Sequence, residues 1–115
     1  MGHKPAVCSA TSAAGYCQCP DRGRDEADVL ARHDHVEAVV CGHLHRSLQC
    51  RFAGTIVVVC PSTASQLALE LTGAATRYTD EPTGFLLHHW RSEVGLVSHT
   101  VPVGDHETWS PSWAE

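Results

Sequence analysis

Aromatic residues, positive charge and long apolar runs are all scarce in this chain of 115 residues. Only 6% of the residues are aromatic, and eight Lys and Arg against 13 Asp and Glu give a formal net charge of −5. Without an excess of positive charge, we expect no binding to nucleic acid or to an anionic membrane surface. No apolar run approaches the roughly 20 residues that span a bilayer, so we expect a cytoplasmic protein.

Cysteine and histidine, by contrast, are frequent, with six and nine residues respectively. Cys41 and Cys60 end two apolar, strand-like runs, which favours buried free thiols over a secreted disulfide framework. The histidines are the most unusual feature of the composition, because imidazole is the commonest metal ligand and titrates near neutral pH. Their positions in the chain therefore matter more than their number.

The pattern of residues divides the chain into three parts. Residues 1–24 show no periodicity, and we expect an irregular or disordered head. Residues 25–103 contain every segment that predicts regular structure. Residues 104–115 form a tail that contains two tryptophans but no pattern.

One helix and a strand are predicted first in the middle part. Asp25 can cap a helix that ends near His33, with its apolar residues on one face. The β-branched run 36–41 predicts a strand buried on both faces, which Gly42 ends.

Two hairpins and a short strand follow. The turn Ala53-Gly54 joins strands at 47–52 and 55–60, pairs Phe52 with Thr55, and points Cys50 and Cys60 apart. The remaining predictions are a strand at 66–71, an exposed loop at 72–82, and a hairpin of 84–90 with 96–103 whose core is Phe85, Leu87, Trp90 and Leu96.

The segment Gly42-His43-Leu44-His45 is predicted to be a loop at the C-terminal end of the strand at 36–41. In an extended segment, His43 and His45 project to the same side while Leu44 turns away, so the two imidazoles can bind one metal or bridge a pair. Proteins with α/β architecture commonly place ligands at this end of a strand. Two solvated histidines without a function are the alternative.

Three stretches of the sequence resemble the C-terminal part of calcineurin-like metallophosphoesterases, and most closely bacterial class III cyclic-nucleotide phosphodiesterases. They are V-C-G-H-L-H-R, F-A-G-T-I-V-V-V-C-P-S-T-A-S-Q-L-A-L and E-P-T-G-F-L-L-H-H-W. The resemblance covers about residues 25–103. It implies an α+β fold, namely a C-terminal fragment of the family's αββα sandwich with one helix and mostly antiparallel strands.

The resemblance also implies a site. His43 would bind the second and His45 the first of two divalent metal ions of the Fe, Mn or Zn type. Arg46, Pro61, Ser62 and Thr63 belong to the matched pattern, and no catalytic part is assigned to them. The implied activity is metal-dependent hydrolysis of a cyclic nucleotide or another small phosphodiester.

The other ligand motifs of that family, D-x-H, G-D and G-N-H-D or G-N-H-E, are not recognisable in this sequence. We therefore expect an N-terminally truncated chain that is inactive alone and depends on a complementing N-terminal chain. Self-association is also expected, because a missing half leaves a sheet edge and an apolar face uncovered.

Two other interpretations remain open. The chain could be an inactive binding or regulatory module that retains the fold, or a small zinc-binding protein whose ligands are His3, Cys8, Cys17 and Cys19. Of the remaining histidines, His88 and His89 should point to opposite faces of a strand. The others are expected at the surface: His33, His35, His99 and His106.

Overall fold

A computed structural model of the protein describes residues 23–72 and 74–114. Its elements are α1 Gly23–Leu30, β1 Ala38–Cys41, β2 Leu48–Phe52, β3 Thr55–Val59, β4 Gln66–Leu67, β5 Tyr78–Thr79, β6 Gly84–Arg91, β7 Gly95–Pro102 and a 3₁₀ turn at Ser112–Ala114. Three of the four strand pairings are antiparallel, which confirms the α+β class. The αββα sandwich stays a prediction. The proposed zinc ligands of the head lie outside the described residues.

Helix α1 begins two residues earlier than the sequence predicts. Asp25 was expected to cap the helix but lies inside its first turn together with Glu26, where both carboxylates interact favourably with the helix dipole. The α-helix ends at Leu30, and a turn continues the chain to His33, whose backbone N–H donates to the Leu30 carbonyl at 2.9 Å. No described helix is long and apolar enough to cross a membrane.

The first sheet has three strands in the order β1-β3-β2. Strand β1 runs parallel to β3, whereas β2 and β3 form the predicted antiparallel hairpin with Phe52 opposite Thr55. The tight turn has positive φ at both central residues, 49° at Ala53 and 87° at Gly54, which matches the twist that a two-residue hairpin requires. The predicted pairing of this hairpin is therefore confirmed.

Strand β1 departs from the sequence prediction in length and in burial. It begins at Ala38 rather than at residue 36, and Val40 is 52% exposed. The prediction of burial on both faces is wrong because part of one face of the sheet is uncovered: Ile56 of the central strand β3, on the same face as Val40, is also 46% exposed. A β-branched apolar run alone does not show whether both faces of its sheet are covered.

The hydrophobic core of the described residues is small. Its buried apolar side chains are Leu44, Val58 and Val59, and the polar side chain of Gln66 is buried as well. Two of the three apolar residues come from the central strand β3. The third, Leu44, belongs to the loop that contains His43 and His45, so this loop contributes a side chain to the core.

The cysteines follow the sequence prediction only in part. Cys60 has a free thiol, so no bridge joins it to Cys50, as the opposite directions of the two side chains predicted. Cys60 is half-buried rather than buried. Cys50 is disulfide-bonded, which the expectation of free thiols did not include.

The strand predicted at 66–71 is much shorter in the structure. Only Gln66 and Leu67 form β4, and they pair with β5, which lies inside the segment predicted to be a loop at 72–82. The alternation of apolar residues continues to Leu69 and Leu71, but each is 57% exposed. These two residues have no described partner strand, and apolar alternation without a partner does not make a strand.

Strands β6 and β7 form the second predicted hairpin, in register from Gly84 opposite Pro102 to Arg91 opposite Gly95. The expectation that its aromatic and leucine side chains form a core is wrong for three of the four residues. Leu96 is half-buried, whereas the exposed fractions of the others are 41% for Phe85, 54% for Leu87 and 60% for Trp90. A two-stranded sheet cannot bury both of its own faces. Self-association through such a surface stays a prediction.

The carboxylate of Glu37, just before β1, fastens this second hairpin to the first sheet. Trp90 donates its indole N–H to Glu37 Oε1 at 2.8 Å, and the backbone N–H of Leu96 donates to Glu37 Oε2 at 2.6 Å. The backbone carbonyl of Glu37 also accepts a hydrogen bond from the Thr55 hydroxyl at 2.8 Å. One residue therefore connects β3 with the hairpin of β6 and β7.

We predict that Gly54→Ala destabilises the protein by about 1 kcal/mol, because an L-residue at φ 87° is strained. A Cβ at Gly54 meets no atom within 4 Å, so the cost comes from the backbone alone. Urea unfolding measures the effect. Gly42→Ala is the matched control, because its Cβ also has open space and its φ lies outside the left-handed region. Equal free energies of unfolding for both variants would contradict the turn geometry.

Candidate functional site

The loop with the two histidines crosses the C-terminal end of β3. Strand β1 ends at Cys41 and β2 begins at Leu48, on the opposite side of β3, so six residues connect the two outer strands of the sheet. The chain must cover two strand spacings of about 4.8 Å each and reverse its direction. The prediction of a loop after a strand, started by Gly42, is confirmed.

The backbone of this loop is not extended, contrary to the sequence expectation. His43 has φ 75° and His45 has φ 50°, both in the left-handed region that few residues other than glycine adopt. The short crossing over β3 accounts for the difference, because an extended chain would continue away from the sheet. Such strained residues persist only where the surrounding structure fixes them.

Burial of the residue between the histidines supplies part of that fixation. Leu44 is 5% exposed, whereas His43 is exposed and His45 is half-buried. Leu44 therefore turns away from the solvent side of the loop, as predicted. Burial of a leucine side chain contributes about 1.5–3 kcal/mol, which is comparable to the strain of one left-handed residue, so the two strained histidines also need the hydrogen bonds of the loop.

A hydrogen bond fixes the ring of His45. Its Nδ1 lies 3.0 Å from the backbone carbonyl oxygen of Ser65. A carbonyl can only accept, so Nδ1 must carry the proton, and in the neutral ring Nε2 then has a free lone pair. Metal-binding histidines typically have this second hydrogen bond, because it fixes both the tautomer and the orientation of the ring.

His45 and the residue after it also form hydrogen bonds to β4. The carbonyl of His45 accepts a hydrogen bond from the backbone N–H of Leu67 at 2.7 Å. Arg46 donates to the Leu67 carbonyl at 2.7 Å and forms an ion pair with Glu81 at 3.0 Å. Arg46 thus links the loop to two later segments.

The turn that presents the Ser65 carbonyl is itself closed by side chains. The Ser62 hydroxyl accepts hydrogen bonds from the backbone N–H groups of Ala64 at 3.1 Å and Ser65 at 3.2 Å. The side-chain amide of Gln66 accepts from the Ser62 N–H at 3.0 Å and donates to the Ser62 carbonyl at 2.7 Å. Ser62 therefore shapes a turn, while Thr63 is exposed.

The site contains fewer ligands than a complete metal centre. Within residues 23–72 and 74–114, no group of three or more His, Cys, Asp and Glu side chains is placed to bind a metal ion. The convergence of His43 and His45 on one ion, or on a pair, stays a prediction. The rings of Tyr78 and His45 are in an edge-to-face arrangement, with their centroids 6.0 Å apart.

Six further histidines lie in the described residues, and all of them are exposed. The four expected at the surface are exposed, and two of them, His33 and His35, pack edge to face. His88 and His89 are both exposed, and His88 Nδ1 lies 2.8 Å from the Ser98 hydroxyl.

Two residues of the site were missed by the sequence analysis. Ser65 contributes a backbone carbonyl, for which no side-chain signal exists. Gln66 was predicted only as the start of a strand, although a polar residue at the start of an apolar alternation could have suggested a buried amide. Its side chain is 3% exposed and also donates to the Pro82 carbonyl at 3.2 Å.

Comparison with known proteins supports the resemblance. A relative in Arcobacter nitrofigilis, named as a probable glycerophosphodiester phosphodiesterase GpdQ, is 36% identical over 95 residues, which are 81% of this chain and 35% of the relative. A relative in Rhodococcus erythropolis, named as a probable cyclic nucleotide phosphodiesterase, is 36% identical over 106 residues, which are 92% of this chain and 34% of the relative. The chain spans about a third of the length of these relatives. No protein-family model matches it.

We predict that neutral His45 is the Nδ1–H tautomer, because its Nδ1 donates to the Ser65 carbonyl. Long-range ¹H–¹⁵N NMR spectra of the metal-free protein above pH 8 distinguish the two tautomers. His99, an exposed residue of β7, is the internal control and should not share the preference. An Nε2–H tautomer at His45 would contradict the assigned hydrogen bond.

Proposed function

Because this chain resembles part of a phosphodiesterase, we propose that it contributes to a metal-dependent phosphodiesterase site in which His43 and His45 are metal ligands. The substrate class is a small phosphodiester. The relatives are named for glycerophosphodiesters in one case and for cyclic nucleotides in the other, and the cyclic nucleotide is the substrate we favour.

The hydrogen bond from His45 to Ser65 is the observation that supports this proposal most directly. It leaves the Nε2 lone pair available to a metal ion and restricts rotation of the ring. His43, two residues earlier, is exposed in the same loop. Imidazole nitrogen is a suitable ligand for zinc and iron, so the donor chemistry fits metals of the expected type.

Two imidazoles are not a complete ligand set. A zinc ion typically takes four ligands, and a dinuclear centre takes more. Because the described residues offer no cluster of three, we propose that the other ligands come from outside these residues, in a longer polypeptide or a complementing chain. The activity of this chain alone is then expected to be low.

Divalent metal ions bound at such a centre would supply Lewis-acid chemistry, by activating water and neutralising the charge of the phosphodiester. The part of this chain is to hold two nitrogen donors in place before the metal arrives. The His45 ring is fixed by Ser65, and the backbone between the two donors is fixed by the buried side chain of Leu44. The net charge of −5 does not oppose this function, because the metal ions themselves attract the anionic substrate.

We predict that the protein binds Zn²⁺ and that His43→Ala and His45→Ala each weaken binding at least tenfold, through loss of a nitrogen ligand. Isothermal titration calorimetry with ZnCl₂ measures the affinity. His99→Ala and His106→Ala are matched controls, since both histidines are exposed and far along the chain from the loop. Equal affinities for the loop variants and the controls would contradict the assignment of His43 and His45.

Hydrolysis of bis(p-nitrophenyl) phosphate with added Mn²⁺ tests the reaction class. We expect slow turnover by the chain alone, or faster turnover when a polypeptide with the missing motifs is added, and loss of either activity in the His43→Ala, His45→Ala double variant. Activity that the double variant retains would show that the loop takes no part in the reaction.

A further inference from the structure

The buried side chain of Gln66 is connected to the proposed metal ligand through a short chain of hydrogen bonds. We propose that Gln66 is a positioning residue for His45: its amide holds the Ser62–Ser65 turn in the one shape that aims the Ser65 carbonyl at His45 Nδ1. An effect of Gln66 on metal binding rests on the proposed function, whereas the positioning of the His45 ring by Gln66 does not depend on that function.

Gln66 uses both ends of its amide. Oε1 accepts from the backbone N–H of Ser62 at 3.0 Å, while Nε2 donates to the carbonyl of Ser62 at 2.7 Å and to the carbonyl of Pro82 at 3.2 Å. The side chain is 3% exposed, so water cannot easily replace these partners. No other proteinogenic side chain of this length both donates and accepts in this way.

These bonds determine the position of the Ser65 carbonyl. The Gln66 amide forms hydrogen bonds to both the N–H and the carbonyl of Ser62, and the Ser62 hydroxyl accepts a hydrogen bond from the N–H of Ser65 at 3.2 Å. The turn is therefore closed on itself from Ser62 to Gln66. The Ser65 carbonyl lies within this closed segment and accepts from His45 Nδ1 at 3.0 Å.

Gln66 also lies between the two attachments of the histidine loop. The ring of His45 bonds to the residue before Gln66, and the carbonyl of His45 bonds to the N–H of Leu67, the residue after it. Through Pro82, Gln66 reaches the segment of Glu81, which pairs with Arg46. The Gln66 amide thus connects its own turn with the segment of Pro82, while the residues on either side of Gln66 bond to His45.

The tautomer of neutral His45 reports this positioning without any metal. In Gln66→Leu, the Ser62 N–H loses its acceptor, the Pro82 carbonyl loses the Gln66 donor, and the Ser62 carbonyl keeps only the Gly84 N–H at 3.0 Å. The turn then relaxes, and His45 should lose its preference for the Nδ1–H form in long-range ¹H–¹⁵N spectra. Gln49→Leu, at an exposed position of β2, is the matched control and should keep the wild-type tautomer. A folded Gln66→Leu protein with an unchanged Nδ1–H tautomer would overturn the proposal.

Ser62→Ala provides the second variant, because it removes the hydroxyl acceptor from a half-buried position without emptying the core. If Gln66→Leu does not fold, as judged from amide dispersion in the β6–β7 hairpin, this variant decides. A partial loss of the Nδ1–H preference supports the proposal, and an unchanged tautomer overturns it.

Zinc affinity then separates this inference from the proposed function. If both are correct, Gln66→Leu weakens Zn²⁺ binding about tenfold although it removes no ligand. If the wild-type protein binds no Zn²⁺ at His45 but the tautomer still changes in the variants, the proposed function fails while the positioning by Gln66 stands.

Discussion

The hydrogen bond between the His45 ring and the Ser65 carbonyl is the interaction on which the candidate site depends. It joins a loop of the three-stranded sheet to a turn that follows the same sheet, twenty residues later. The loop crosses the end of β3 in six residues and has two strained histidines, so it needs contacts that fix its shape. Those contacts are the buried Leu44, the backbone bond from Leu67 and the ring bond to Ser65.

A second set of hydrogen bonds, made by Glu37, connects the β6–β7 hairpin to the three-stranded sheet. The carboxylate of Glu37 accepts from an indole N–H and a backbone N–H of the β6–β7 hairpin, more than fifty residues away in the chain. Hydrogen bonds to a charged acceptor are stronger than neutral ones, and here two donors share one carboxylate. Few apolar side chains are buried in the described part of the chain. Hydrogen bonds between its elements are therefore more important for holding them together than they would be in a large domain.

The sequence predicted the features that depend on local geometry. The Ala53-Gly54 turn determined the register of the first hairpin, and Gly42 marked the end of β1. It could not predict the left-handed backbone of His43 and His45, because that conformation follows from the strand order β1-β3-β2 and not from the residues of the loop. The exposure of Trp90 and Leu87 was missed for a similar reason, since burial of a hairpin depends on what packs against it.

The resemblance to the family motif identified His43 and His45 as candidate ligands. It gave no indication of the residues that orient His45. The Ser65 partner is a backbone atom, and Gln66 acts through backbone groups of Ser62 and Pro82. Sequence patterns record side chains, whereas these contacts depend on how two distant segments meet. The structure therefore gives a physical reason, absent from the motif, for the tautomer and the orientation of the His45 ring.

X-ray absorption spectroscopy of the zinc-loaded protein tests the central claim most directly, because it identifies the ligand atoms. The account predicts nitrogen scatterers at about 2.0–2.1 Å with the outer-shell pattern of imidazole, and their loss in the His43→Ala, His45→Ala double variant. Sulfur scatterers at about 2.3 Å that persist in the double variant would contradict it, because the metal would then be bound by cysteine thiolates elsewhere in the chain.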